Sequence, residues 1–167
     1  MWEHIKEHFE RYPAQGKVAR IMLRLGLTIK DGAIFSGPVQ LSDSALARAL
    51  DVDRRVVVST VETIEGDGTL RSLFSHLKPT CNLSEVGPEM GWGVLVLIPK
   101  KANIPGIIAE AGRLIAESGI SIKQLIIEDD LEFSDRPQAY IITERPIPPR
   151  TITRIKDIEG IEGVTLR

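Results

Sequence analysis

The chain of 167 residues contains a single cysteine, Cys81. That excludes an internal disulfide and any zinc or iron–sulfur site built on several cysteines. A reducing, cytoplasmic setting is the matching expectation. No apolar run approaches the roughly 18–20 residues of a membrane span. The first eight residues, Met-Trp-Glu-His-Ile-Lys-Glu-His, carry charge throughout and lack a signal-peptide core. Aromatic residues are scarce, at 5%. An excess of either charge is lacking too. Residues 1–79 hold 11 basic and 10 acidic side chains, and residues 80–167 hold 10 and 13, so +1 and −3 sum to the net −2. Neither half has the strong basic bias of a non-specific nucleic-acid binder, so any DNA contact must come from a local patch.

What is present is an ordinary globular composition, 43% hydrophobic, with one stretch free of periodicity. Pro79, Gly87, Pro88 and Gly91 punctuate residues 79–91, which read as a linker. The expected layout is a first domain over residues 1–78, the linker over 79–91 and a second domain over 92–167.

The second domain has the clearer pattern. Val94 to Ile98 is a continuous apolar run, the mark of a strand buried on both faces. Ile107, Ile108, Ala111, Leu114 and Ile115 form one helical face, opened by Pro105 as a first-turn proline and stopped by Gly119. Ile120–Ile127 reads as a second strand and Ala139–Thr143 as a third. A short helix over Thr151–Ile158 and a last strand over Val164–Leu166 complete the order strand, helix, strand, strand, helix, strand. That is a split βαβ unit with an antiparallel sheet and helices on one face, so the fold class is α+β. Its strands are apolar on both sides, so the second face is expected to be covered by another subunit or by the first domain; dimerisation is the favoured expectation.

The first domain reads as mostly helical. Trp2, Ile5 and Phe9 make one stripe, and Val18–Leu25 continues as a helix stopped by Gly26. Val39–Leu41 fits a short strand, Ser42 an N-cap, and Ala45, Leu46, Ala49 and Leu50 an apolar face. A further helix has Val57, Val61 and Ile64 inward. The segment Leu46–Val57 resembles the helix-turn-helix of transcription regulators, with Ala47 at the helix crossing, Asp51 in the turn and Val57 as the buried anchor. Glycine is usual where Asp51 stands, and Asp takes the left-handed conformation at some cost. The resemblance implies a recognition helix with Arg55 and Ser59 outward, flanked by Arg54, and Arg48 reaching toward the DNA backbone. Glu62 on that same side opposes phosphate approach. The plain alternative is a packing module with a solvated arginine pair.

Residues 92–167 resemble an ACT domain, a ferredoxin-like βαββαβ sensor of amino-acid metabolism. The likeness rests on element order, on Asn103-Ile104-Pro105-Gly106 after the first strand, and on Gly119-Ile120-Ser121-Ile122 opening the second. It implies an effector site where this loop meets a neighbouring subunit's strands. Gly106 permits close backbone approach, Asn103 both donates and accepts, and free N–H groups near Pro105 and Gly106 suit a carboxylate. Ile104, Ile120 and Ile122 would wall it. The plain alternative is that Asn103 and Gly106 only shape a turn. The combined layout resembles archaeal regulators of amino-acid metabolism. It implies a homodimer or higher oligomer that binds double-stranded DNA and a small effector. With no paired carboxylates, catalytic triad or phosphate loop in the sequence, no catalytic residues and no cofactor are expected, and the lack of a long apolar run argues against membrane association. An adaptor that imposes amino-acid feedback on a partner enzyme is the alternative.

His4 and His8 have a zinc-compatible spacing but no evident third ligand. Glu128, Asp129, Asp130, Glu132 and Asp135 lack the order and glycine of a calcium loop. No metal site is expected.

Overall fold

The computed structural model describes residues 2, 5–101, 104–128 and 136–167. The chain divides into two compact units, residues 1–81 and 82–167.

The first unit opens with Trp2, Ile5 and Phe9, all buried, on a path that includes the 3-10 turn Lys6–Phe9. The rings of Trp2 and Phe9 stack with centroids 6.3 Å apart. Helix α1 (Pro13–Leu25) has proline at its first turn and ends at Gly26, whose φ of 63° lets the chain reverse. Here the structure adds to the mostly helical expectation. Strands β1 (Thr28–Lys30), β2 (Ala33–Ser36) and β3 (Val39–Leu41) form an antiparallel meander in that order. Only β3 was legible, because Val39-Gln40-Leu41 alternates apolar and polar whereas Thr28-Ile29-Lys30 and Ala33-Ile34-Phe35-Ser36 do not. The turn between β1 and β2 is Asp31–Gly32, with both residues at positive φ (49° and 73°). An Asp-Gly pair of that kind is the hairpin signal that identifies it.

Helices α2 (Asp43–Leu50), α3 (Arg54–Gly66) and α4 (Gly68–His76) follow. Ser42 caps α2, its hydroxyl accepting from the Ala45 N–H at 3.1 Å. The inward face of α2 is Leu46, Ala47 and half-buried Leu50; Ala45 and Ala49 are exposed, contrary to expectation. On a helix this short, the close crossing at Ala47 decides which stripe turns inward. Helix α4 was not anticipated. Its cap, Asp67, accepts from the Thr69 and Leu70 N–H groups at 2.9 and 2.8 Å. Val18, Met22, Ile34, Val57, Ile64, Leu70 and Phe74 make the fully buried centre.

The second unit has the expected order: β4 (Gly93–Pro99), α5 (Ile107–Glu117), β5 (Ile122–Glu128), β6 (Gln138–Thr143), α6 (Pro149–Lys156) and β7 (Ile161–Leu166). Its sheet runs β5-β6-β4-β7 with all neighbours antiparallel. Helix α5 begins at Ile107 with Gly106 as N-cap, so Pro105 lies outside the helix rather than in its first turn. The φ of 91° at Gly106 explains the offset, since the chain must turn through glycine before it can wind. Most of the acidic loop, residues 129–135, lies outside the described residues.

One sheet face packs Leu95, Leu97, Ala139 and Ile141 against Ala111, Leu114, Ile115, Ile152 and Ile155 of the two helices. The other face carries Val94, Val96 and Ile142, which are 1%, 3% and 0% exposed. It was expected to need another subunit or the first domain, but the Gly93 end of it is covered by residues 82–91. The Leu83 N–H donates to Gln124 Oε1 at 2.9 Å, Ser84 is buried, and Gly87 lies directly against Val94 and Ile142. The Arg167 guanidinium holds the Glu85 carboxylate. Much of the segment read as a linker therefore packs as a strap on the second unit, because an apolar sheet face must be covered and this is the chain nearest to it.

A Cβ on Gly87 would sit 2.6 Å from Val94 Cγ2 and 3.2 Å from the Leu83 carbonyl oxygen. Val94 is stiff at its branched carbon and cannot swing aside. Gly87→Ala should cost roughly 1–3 kcal/mol of stability by urea unfolding, with the loss confined to the second unit in amide hydrogen exchange.

Candidate nucleic-acid and effector sites

In the first unit, α2, a three-residue turn and α3 form the helix-turn-helix geometry. Asp51 takes the left-handed conformation (φ 52°, ψ 55°), and its N–H closes the end of α2 on the Ala47 and Arg48 carbonyls. The Val52 N–H adds a 3.0 Å bond to the Ala47 carbonyl. Asp53 then caps α3, its carboxylate accepting from the Arg55 N–H at 2.8 Å. Val57 anchors α3 in the core with no exposure, and Thr60, Val61 and Ile64 continue that buried side.

Both flanks of α3 are tied down. Toward α1, the Thr63 hydroxyl donates to Gln15 Oε1 at 3.0 Å. Toward the meander, Glu65 Oε1 accepts from the Gly32 N–H in the β1–β2 turn at 2.7 Å. What remains outward is a strip holding exposed Arg55, half-buried Ser59 and exposed Glu62. Arg54 lies to one side of that strip, where its guanidinium meets Asp43 at 3.3 Å. A groove of about 300 Å³ opens there, lined by Gly32, Gln40, Ser42, Asp43 and Arg54 among others. Arg48 is exposed in the last turn of α2. Lys17 of α1 was missed by sequence reasoning; its ammonium donates to the Leu50 carbonyl, adding a second cation at that helix end. A lysine on α1 has no sequence signal that would have paired it with a residue 33 positions on.

The effector candidates are differently disposed. Asn103 lies outside the described residues. Ile104 is half-buried and packs on Gly160, where a Cβ would come within 3.0 Å of Ile104 Cδ1. The Lys100 N–H fastens the same two loops by donating to the Gly160 carbonyl at 2.8 Å. Pro105 and Gly106 are exposed. Ile120 is only 5% exposed and belongs to the helix-side core, so it is a packing residue and not an open wall. Ile122 is 40% exposed. The eleven residues of α5 separate Gly106 from Ile120, which is roughly 16 Å along a helix. One chain therefore places the two sets at opposite ends of the unit.

His8 stands 3.9 Å from the Asp67 carboxylate, and His4 lies outside the described residues. Among the described residues no group of three His, Cys, Asp or Glu is placed to share a metal ion. No described helix is long and apolar enough to cross a membrane.

No family model matches the chain, and no curated protein does. Solved structures with a distant likeness include a homoserine dehydrogenase from Thiobacillus denitrificans, 17% identical with a TM-score of 0.36 over 74% of this chain. This chain spans 26% of that one. An AsnC family transcriptional regulator from Agrobacterium tumefaciens is 13% identical with a TM-score of 0.30, covering 92% of this chain and 86% of its own. AsnC of E. coli is 11% identical with a TM-score of 0.26, over 93% and 89%. At these scores the likenesses carry no argument about function.

The left-handed Asp51 offers a direct check on the turn. Asp51→Gly should hold or raise stability, whereas Asp51→Val should lower it by about 1–2 kcal/mol in urea unfolding. Equal effects of the two would show that the turn does not use this conformation.

Proposed function

We propose that this protein is an amino-acid-responsive regulator of amino-acid metabolism, whose first unit binds double-stranded DNA and whose second unit is an ACT-type sensor that assembles into a homodimer and binds a small effector. The observation that carries the reading is the helix-turn-helix geometry. The left-handed Asp51 and the buried Val57 set α3 so that Arg55 and Ser59 stand on its outward strip. Arg55 would pair with guanine or phosphate, Ser59 would donate to either, and Arg48 and Arg54 would contact the backbone. The effector would lie by Asn103, Ile104, Pro105 and Gly106, with Ile122 of a second copy beside it and Ile120 supporting that strand from the core.

The mechanism is linkage. A dimer reads two half-sites about one helical turn apart. An effector that favours one spacing of the two first units changes affinity by its own preference for that state. No catalytic step is assigned, and the setting is cytoplasmic.

Two observations favour the adaptor as a second reading. Glu62 shares the outward strip, and the Arg54 charge is engaged by Asp43. Under that reading the strip meets a protein surface of mixed charge.

Gel-shift titration with fragments of the source genome decides between them. Arg55→Ala should weaken retardation about ten- to a hundred-fold, the loss of one bidentate contact. Absence of any shift, with or without amino acids, would remove the DNA reading. A thermal-shift screen against the twenty amino acids tests the sensor; stabilisation by one of them is expected.

A further inference from the structure

Strand β5 carries a bulge where the strap reaches it. Ile122 pairs with Thr143 and Gln124 with Ile142, so Lys123 and Gln124 together oppose the single Ile142. Consecutive residues of a regular strand face opposite ways. A bulge adds a residue and re-aims its neighbours. Here both side chains serve the strap. Gln124 Oε1 accepts from the Leu83 N–H at 2.9 Å, and the Lys123 ammonium stands 4.8 Å over the ring of Trp92, just past the strap's other end. Between these pins the Gly87 N–H donates to the Leu83 carbonyl and the Trp92 N–H to the Gly87 carbonyl. Val86 and Met90 are 45% and 61% exposed, so little of the strap's own hydrocarbon is buried. Its Leu83–Val86 part is held by Gln124, by the burial of Ser84 and by the Glu85–Arg167 pair.

The first unit has its own last anchor. The Thr28 hydroxyl donates to the Leu77 carbonyl at 2.9 Å, and a Cβ on Gly26 would sit 2.3 Å from the Lys78 carbonyl oxygen, so the chain before Pro79 lies directly on Gly26. Three residues, Thr80–Asn82, separate Pro79 from Leu83. The four steps from Pro79 to Leu83 span at most about 14 Å. If Leu83–Val86 lifts while Gly87 stays against Val94 and Ile142, the eight steps to Gly87 span about 28 Å. Half-sites one helical turn apart are separated by roughly 34 Å. A tether change of about 14 Å is large on that scale.

We propose that Lys123 and Gln124 are positioning residues for the DNA-reading unit: through the bulge they hold the strap down, and the strap sets the length of the tether that carries the first unit. This rests on the regulator reading above and names its coupling element. Ile122, the candidate effector contact, is the residue before the bulge, where the ladder is interrupted. A ligand seated on Ile122 fixes β5 at that point and favours the gripped strap over the lifted one.

Grip and tether are tested separately in the full chain. In amide hydrogen exchange, Lys123→Ala with Gln124→Ala should speed exchange at Leu83–Gly87 about tenfold while α5 and α6 keep their rates. In small-angle X-ray scattering the same variant should grow in maximum dimension by more than about 10 Å. Inserting Gly-Ser-Gly-Ser between Thr80 and Cys81 should produce the same growth yet leave strap exchange unchanged. Both variants should keep DNA retardation and thermal stabilisation by the amino acid that stabilises the unmodified chain, but that amino acid should then change DNA affinity by less than about twofold. Unchanged strap exchange in the double variant, unchanged scattering in either variant, or a full effector response in either would overturn the proposal. If no amino acid and no DNA fragment binds the unmodified chain, the regulator reading falls, and exchange and scattering still decide the strap.

Discussion

Burial of both faces of β4 is the constraint around which the second unit is arranged. Val94 to Ile98 is apolar at every position, so whichever way the strand turns it presents hydrocarbon on two sides. At roughly 25 cal/mol per Å² of apolar surface removed from water, neither side is left open cheaply. Helices α5 and α6 take one side through Leu95 and Leu97. At the Gly93 end of the other side, the ten residues before Trp92 lie down as a strap, with Gly87 small enough to touch Val94. The absence of a side chain at position 87 is therefore a packing requirement and not a mark of looseness. The same need for contact places Ser84 out of solvent and Leu83 in hydrogen-bond reach of the sheet.

The first unit solves a different problem, which is to leave one strip of one helix uncovered. Val57, Thr60, Val61 and Ile64 root α3 in the core. The Thr63–Gln15 and Glu65–Gly32 hydrogen bonds hold its flanks to α1 and to the hairpin turn. A helix held on three sides cannot roll without breaking bonds that are individually modest, near 1 kcal/mol each, but are made by rigid neighbours. The Arg55 strip is thereby presented at a fixed angle. Asp51 contributes by accepting a backbone conformation that most residues resist, so the turn between α2 and α3 takes only three residues.

The parts legible in the sequence were those with long or two-sided patterns. The β4 run, the α5 stripe and the Val57–Val61–Ile64 stripe all span enough residues to declare a period. The β1–β2 hairpin did not, since neither of its short strands alternates cleanly, and its Asp31–Gly32 turn signal was passed over. The strap was misjudged because proline and glycine mark irregular backbone without saying whether it is packed. Pro105 was placed one step inside α5 because Gly106 can carry a left-handed turn that no spacing announces. For the candidate sites, residue types were easier to choose than distances. Arg55 and Ser59 follow from one helix and share a face. Gly106 and Ile120 come from two ends of α5, and a string of letters does not show that a helix stands between them. Ile120 also illustrates how an isoleucine beside a glycine turn reads equally well as a wall or as core until burial decides it.

The strap also bears on the order of events in the life of the chain. Val94, Val96 and Ile142 are out of solvent before any second molecule arrives. Covering them takes no second molecule, so this step of folding is a first-order process. Abundance then leaves the folded fraction unchanged.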